Sequence, residues 1–229
     1  MVNTTQVSDW QQMYGGQGYR GVYPSEYMVR FISGHFGKSN MPIQQNDFST
    51  FHILDLGCGS GRHTVYLARE GFLVSAIEQS QEGAELTKNW LELEKLQADV
   101  RVGDMAALPY TDGLFDAVID FQSTQHNMME NVKKIFAEVH RVLKKGGLFF
   151  LVVRSSEDYL ATVGQQVEAG TFDKINKGDM MGAGVCHFFS REEIELLASA
   201  YTVVSIERAL RTVNNGADVI GELLVTLRK

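Results

Sequence analysis

The stretch ILDLGCGSGRH, from Ile53 to His63, decides the fold. An apolar run of strand length meets an acid, Asp55, and then glycines at 57, 59 and 61. Glycine has no Cβ, so it takes positive φ freely and lets another group touch the backbone; it also weakens any strand or helix it interrupts. Packing alone does not offset that local cost, so the loop points to a bound ligand, a nucleoside in particular. The next residues, GRHTVYLAREG, put Val65, Leu67 and Ala68 on one helical face and end at Gly71. A glycine loop between a strand and its helix lies at the carboxyl end of the strand, where open α/β sheets bind ligands.

Working outward, the same rhythm repeats. FLVSAIE reads as a second buried strand, and Ser80 opens a helix over SQEGAELTKNWLELEKLQ. ADVRVGD is a third strand and GLFDAVIDF a fourth. NVKKIFAEVHRVLKKGG is a helix closed by two glycines, and GLFFLVV a fifth strand. Strand and helix thus alternate from about residue 51 to 153, the pattern of a parallel sheet with helices on both faces. Upstream, PSEYMVRFISGHFG predicts a helix with Pro24 near its first turn and Gly37 past its end.

After Val153 the rhythm breaks. Residues 154–189 are polar and glycine-containing, with at most a short helix around EDYLATVGQQVEAG. Ser190 and Glu193 then form a capping box. YTVVSIERAL and GELLVTLRK read as two strands joined around NNG. The expected fold is therefore α/β: a doubly wound, mostly parallel seven-stranded sheet with an antiparallel C-terminal hairpin strand. Residues 1–229 are expected to be one domain, with 1–50 an N-terminal helical cap and 154–189 a lid insertion.

The chain of 229 residues is 44% hydrophobic and 21% charged, ordinary for a globular protein. Its net charge of −7 argues against nucleic acid as a partner. Two cysteines, Cys58 and Cys186, cannot build a disulfide framework, and a reducing cytoplasm is expected. MVNTTQVSDWQQMY lacks the basic and apolar regions of a signal peptide, and no run approaches the ~20 apolar residues of a membrane span.

Two nucleotide motifs fail. The G-x-G-x-x-G dinucleotide fingerprint would need a glycine where Arg62 stands, and no G-K-[ST] follows for a phosphate loop. Instead, LDLGCGSGRH resembles the first motif of class I S-adenosylmethionine (SAM)-dependent methyltransferases of the small-molecule type. Glu78 stands 21 residues after Gly57, and VGDMAALPY and EVHRVLKKGGLFFLVV resemble later motifs of that family. The likeness is close over about residues 50–153 and looser at the hairpin.

The resemblance implies a Rossmann-like methyltransferase fold and SAM as cofactor, with S-adenosylhomocysteine as product and no metal. It assigns Asp55, Gly57, Cys58, Gly59 and Gly61 to the methionine end of SAM. Glu78, with Gln79 beside it, would grip the ribose hydroxyls. Asp104 and the Met105 backbone would hold adenine, and Phe121 and Tyr14 would complete the contacts. Taken singly, Glu78 also fits a solvated strand end, Asp104 a turn cap and Cys58 a small loop residue.

The acceptor is expected just past the fourth strand, at DFQSTQHN. That stretch lacks the Asn/Asp-Pro-Pro-aromatic motif common in amino-methylating nucleic-acid enzymes of the family. His126 is the candidate catalytic base, with a pKa expected near working pH; packing against the next helix is its other reading. Gln122 is expected to orient the substrate or the SAM carboxylate, and His187 either to reach the site from the lid or to be a packed histidine. In the aromatic segment WQQMYGGQGYRGVYP, Tyr23 and Arg20 are candidate substrate contacts, Arg20 for a carboxylate or phosphate. His63 reads as structural or as a rim contact. The expected activity is methyl transfer to a small molecule, on oxygen first and nitrogen second. The competing readings are a non-catalytic SAM-binding regulatory module, an NAD-dependent oxidoreductase, and transfer of another group from the same fold.

Overall fold

The computed structural model describes residues 13–14, 21–37 and 47–229. Arg20 lies outside them. Seven strands form the main sheet: β1 (His52–Leu56), β2 (Leu73–Glu78), β3 (Asp99–Val102), β4 (Phe115–Phe121), β5 (Leu143–Arg154), β9 (Thr202–Val213) and β10 (Asp218–Arg228). Their order is β3-β2-β1-β4-β5-β10-β9. β1 to β5 pair in parallel, and β10 is antiparallel to both β5 and β9. The expected single reversed strand is thus β10, which sits between β5 and β9.

Helices cover both faces: α1 (Glu26–His35), α2 (Arg62–Arg69), α3 (Gln81–Leu93), α4 (Met129–Val142) and α5 (Arg191–Leu197). Strand side chains alternate between faces, and the core divides accordingly. Leu54, Val118 and Phe149 pack with Ile135, Phe136 and Val139 of α4. Their neighbours Ile53, Ile119 and Phe150 pack with Met28, Phe31 and Ile32 of α1 and Leu67 of α2. Phe31 stacks on Phe150 with centroids 4.5 Å apart, a geometry worth ~0.5–1.5 kcal/mol beyond burial.

One expectation fails locally, and one optional element is absent. α4 ends at Val142, short of the glycines, because Leu143 is extended and pairs with Phe115 of β4. Residues 154–189 form no helix around EDYLATVG. Asp158 instead accepts from the Leu160 and Gly221 backbone amides and from Arg154, which holds a turn there. The segment then builds a small antiparallel sheet of β6 (Gln165–Glu168), β7 (Thr171–Asp173) and β8 (Cys186–His187). It has an apolar core of its own, Leu160, Ile175, Met180, Ala183, Cys186 and Phe188.

Candidate active site

The glycine loop is squeezed from two sides. The Gly57 and Cys58 amides both donate to the Ile77 carbonyl, at 2.9 and 3.1 Å. Gly61 caps α2 with φ +96°, and a Cβ there would lie 2.8 Å from Thr87 Oγ1 of α3. At Gly57, φ +73°, a Cβ would overlap the Ser123 hydroxyl. Glycine is therefore required by both backbone angle and close approach.

Three acids stand at the carboxyl ends of adjacent strands. Asp55 accepts from Thr64 Oγ1 at 2.6 Å, and burial pushes its pKa up to about 7. Asp120 accepts from the Ser123 and Thr124 amides and the Thr124 hydroxyl, so it caps the short 3-10 turn Thr124–His126; burial pushes its pKa up to about 6. Glu78 is 7% exposed, so it is not a solvated strand end. Its Oε2 accepts from the Gly59 amide at 2.8 Å and its Oε1 from Ser80 at 2.9 Å. Burial raises its pKa, and those backbone hydrogen bonds oppose the rise. One carboxylate thus clamps the glycine loop to the start of α3.

Of the residues predicted for the cofactor, Tyr14, Gly57, Cys58, Gly59, Glu78, Gln79, Met105 and Phe121 line a single cleft. Asp55 is buried beside it, and Gly61 braces the loop. Asp104 does not line the cleft; its Oδ1 accepts from Ala106 at 2.8 Å, the turn-capping alternative. The cleft's free volume is about 120 Å³, below the ~300–1,000 Å³ of typical small-molecule sites. The Tyr14 ring fills part of it, lying against Gly59 and Gly83 beside Glu78.

The predicted substrate residues divide. Gln122 and His126 line the same cleft, whereas Tyr23 is 80% exposed and does not. His187 is fully buried in the small sheet, with Nδ1 2.7 Å from Thr171 Oγ1, and does not line the cleft. Gln122 stands at φ +62°, unusual for a non-glycine residue. Its backbone amide donates to Val152, and its side-chain amide to buried Glu222.

His126 differs most from expectation. Its Nδ1 lies 2.9 Å from the Val185 carbonyl, which can only accept, so Nδ1 carries the proton. Nε2 then faces the Gln125 amide at 3.3 Å. Burial pushes the imidazole pKa down to about 4, so it stays neutral at working pH rather than titrating there.

The sequence reading missed the cleft's far wall. Asp179, Met180 and Ala183 of the insertion line it, as do Met13, Arg62, Ser123 and Asn127. Buried Arg154 holds this wall: it donates to Asp158 at 2.6 Å and also to Asp179. His63 is buried on the rim, where Nε2 accepts from the Ser25 amide at 3.2 Å and ties α1 to α2.

These residues fit a nucleoside cofactor. Glu78 offers a buried, acceptor-only group in the cleft, and the bare glycine backbone allows close approach. No group of three or more metal-ligating side chains occurs among the described residues. Among them, no helix is long and apolar enough to cross a membrane.

Comparison with known proteins agrees. Residues 54–151 match the family model described as a methyltransferase domain. An uncharacterised methyltransferase of Synechocystis sp. is 36% identical over 100 residues, 44% of this chain and 45% of that protein. The ubiquinone biosynthesis O-methyltransferase of Rickettsia felis is 28% identical over 123 residues, 54% of this chain and 46% of its own. The chain thus spans less than half the length of either relative. A Burkholderia thailandensis 1,6-didemethyltoxoflavin-N1-methyltransferase, solved with 1,6-didemethyltoxoflavin and S-adenosylhomocysteine, shares the fold. Its TM-score is 0.68 at 20% identity, covering 99% of this chain and 88% of that one. With its sheet order and glycine loop the chain has the fold of that solved methyltransferase, and its residues 54–151 are similar to the methyltransferase-domain family.

Proposed function

We propose that the protein transfers the methyl group of SAM to a small-molecule acceptor, on oxygen first and nitrogen second. One observation carries this reading. A single cleft joins the Glu78 clamp and glycine loop to a wall built from Gln122, His126, Asp179 and Met180. The cofactor, when bound, supplies a methyl on a positively charged sulfur, so the chain's main task is positioning. Holding reactants in line supplies as much as ~7–11 kcal/mol.

Glu78 and the glycine loop hold the nucleoside end. Tyr14 shields that end from water and moves aside as the ligand enters. Gln122 is fixed by the hydrogen bond from its amide nitrogen to Glu222, which leaves its Oε1 to orient an acceptor hydroxyl or amine. His126 serves as a neutral strut between the 3-10 turn and the insertion. The insertion acts as a packed roof, a size limit that favours metabolites over polymers. Two buried free thiols, Cys58 and Cys186, suit a reducing cytoplasm.

The test is a screen of hydroxylated, carboxylated and amine metabolites for S-adenosylhomocysteine release. Binding of SAM without release from any acceptor would favour a non-catalytic SAM-binding module.

A further inference from the structure

Three described arginines are shielded from solvent: Arg62, Arg141 and Arg154. Two are matched by carboxylates. Arg141 pairs with Glu138 and Asp112, and Arg154 with Asp158 and Asp179. Arg62 forms no ion pair within 4.0 Å among the described residues. It lines the cleft, with its guanidinium carbon 4.7 Å from the centre of the Phe121 ring. Its stem crosses Gly21, where a Cβ would lie 2.9 Å from Arg62 Cδ.

The acids near the cleft are engaged elsewhere. Asp55 holds Thr64, Glu78 holds Gly59 and Ser80, and Asp179 holds Arg154. Arg62 is also the first residue of α2, whose first turn contains no acid. A cation at the positive end of a helix dipole is unfavourable. Among the described residues this half-buried cation is held by the Phe121 ring and by the charge of buried Asp55 rather than by a paired carboxylate, and local conflicts of this kind mark functional positions. The Phe121 ring lies under the guanidinium, and among the described residues no carboxylate pairs with its N–H fork, the geometry that suits bidentate recognition.

The geometry points to Arg62 as an anion receptor that takes a carboxylate or phosphate carried by a ligand of this cleft. The inference rests on the methyltransferase reading of the cleft. The anion has two possible sources, the methionyl carboxylate of the cofactor or an acidic group on the acceptor.

The test compares wild type with Arg62→Met, which keeps an apolar stem over Phe121, and with Arg62→Lys. Calorimetry would use S-adenosylhomocysteine and 5′-methylthioadenosine, which lacks the methionyl carboxylate. Thermal shift, with S-adenosylhomocysteine saturating, would use inorganic phosphate, 4-hydroxybenzoate and the neutral 4-hydroxybenzamide. If the cofactor supplies the anion, Arg62→Met weakens S-adenosylhomocysteine by roughly 10- to 100-fold and leaves 5′-methylthioadenosine unchanged. If the acceptor supplies it, both nucleosides bind as in wild type, and a shift given by phosphate or 4-hydroxybenzoate but not by 4-hydroxybenzamide disappears. Arg62→Lys should fall between in either case. The ligand-free melting temperature of Arg62→Met should stay close to that of wild type, because the lost Phe121 and Asp55 interactions are set against relief at the helix N-terminus.

Equal loss of both nucleosides would overturn the inference, as would wild-type behaviour of Arg62→Met toward every probe. No S-adenosylhomocysteine binding by wild type would instead sink the methyltransferase reading itself.

Discussion

Removing the Glu78 carboxylate tests whether one side chain both builds the loop and holds the cofactor. Glu78→Ala leaves the Gly59 and Ser80 amides, now bonded at 2.8 and 2.9 Å, without their acceptor. A buried donor left unpaired costs ~1–3 kcal/mol. Water entering the cleft recovers part of that for two donors, leaving roughly 2–4 kcal/mol. For a chain of this size each kcal/mol moves the melting temperature by ~2–4 °C, so a fall of roughly 5–15 °C is expected. Glu78→Gln keeps one acceptor oxygen but turns an NH2 toward the other amide, so about half the loss should remain.

Binding is the second readout. Calorimetry with S-adenosylhomocysteine and its 2′-deoxy analogue, on wild type and Glu78→Ala, gives a double-mutant cycle. If Glu78 accepts from the ribose, wild type discriminates against the deoxy analogue and the variant does not. S-adenosylhomocysteine itself should weaken by ~10- to 1000-fold in the variant. A fallen melting temperature with unchanged discrimination would confine Glu78 to the loop clamp. An unchanged melting temperature and affinity would refute both roles.

Other expectations are simpler. Burial raises Asp55 from 3.8 to about 7, so its stabilising contribution is full below pH ~4 and is lost as pH rises toward ~7, a change on the order of 4 kcal/mol. Asp55→Asn should therefore gain stability relative to wild type across that window; a gap in melting temperature that stays constant with pH would contradict this. Gly61→Ala combines φ +96° with contact on Thr87; it should lose at least ~1–3 kcal/mol and weaken S-adenosylhomocysteine, and normal binding would show that the loop tolerates a Cβ. His126→Ala should destabilise by ~1–3 kcal/mol without changing the shape of the kcat pH profile; an acidic limb near pH ~6.5 that vanishes in the variant would restore His126 as a base. Arg154→Ala strands two carboxylates, one fully buried, and should cost ~3–5 kcal/mol in denaturant titration.

The alternating sheet, the glycine loop and the acid at the end of β2 were legible because each is local. Side-chain period, turn chemistry and strand-end spacing are written in consecutive residues, and Ser80 and the Ser190–Glu193 box cap their helices as the sequence predicts. The same locality explains the errors and the alternatives left open. The sequence allowed at most a short helix at EDYLATVG, and none forms because Asp158 is recruited by Arg154 and Gly221, the latter 63 residues away. His126 has an ordinary imidazole in the chain and a neutral, buried one in the fold, because Val185 and the insertion close over it. Asp104 and His187 each had a structural alternative in the sequence, a turn cap and a packed histidine, and their hydrogen bonds to Ala106 and Thr171 fit it. The sequence alone determined the sheet, the loop and the position of Glu78, since these follow from backbone conformation and short-range pattern. Only tertiary structure decided which groups face the cleft and in what charge state, because burial and ion pairing depend on residues that meet across the fold.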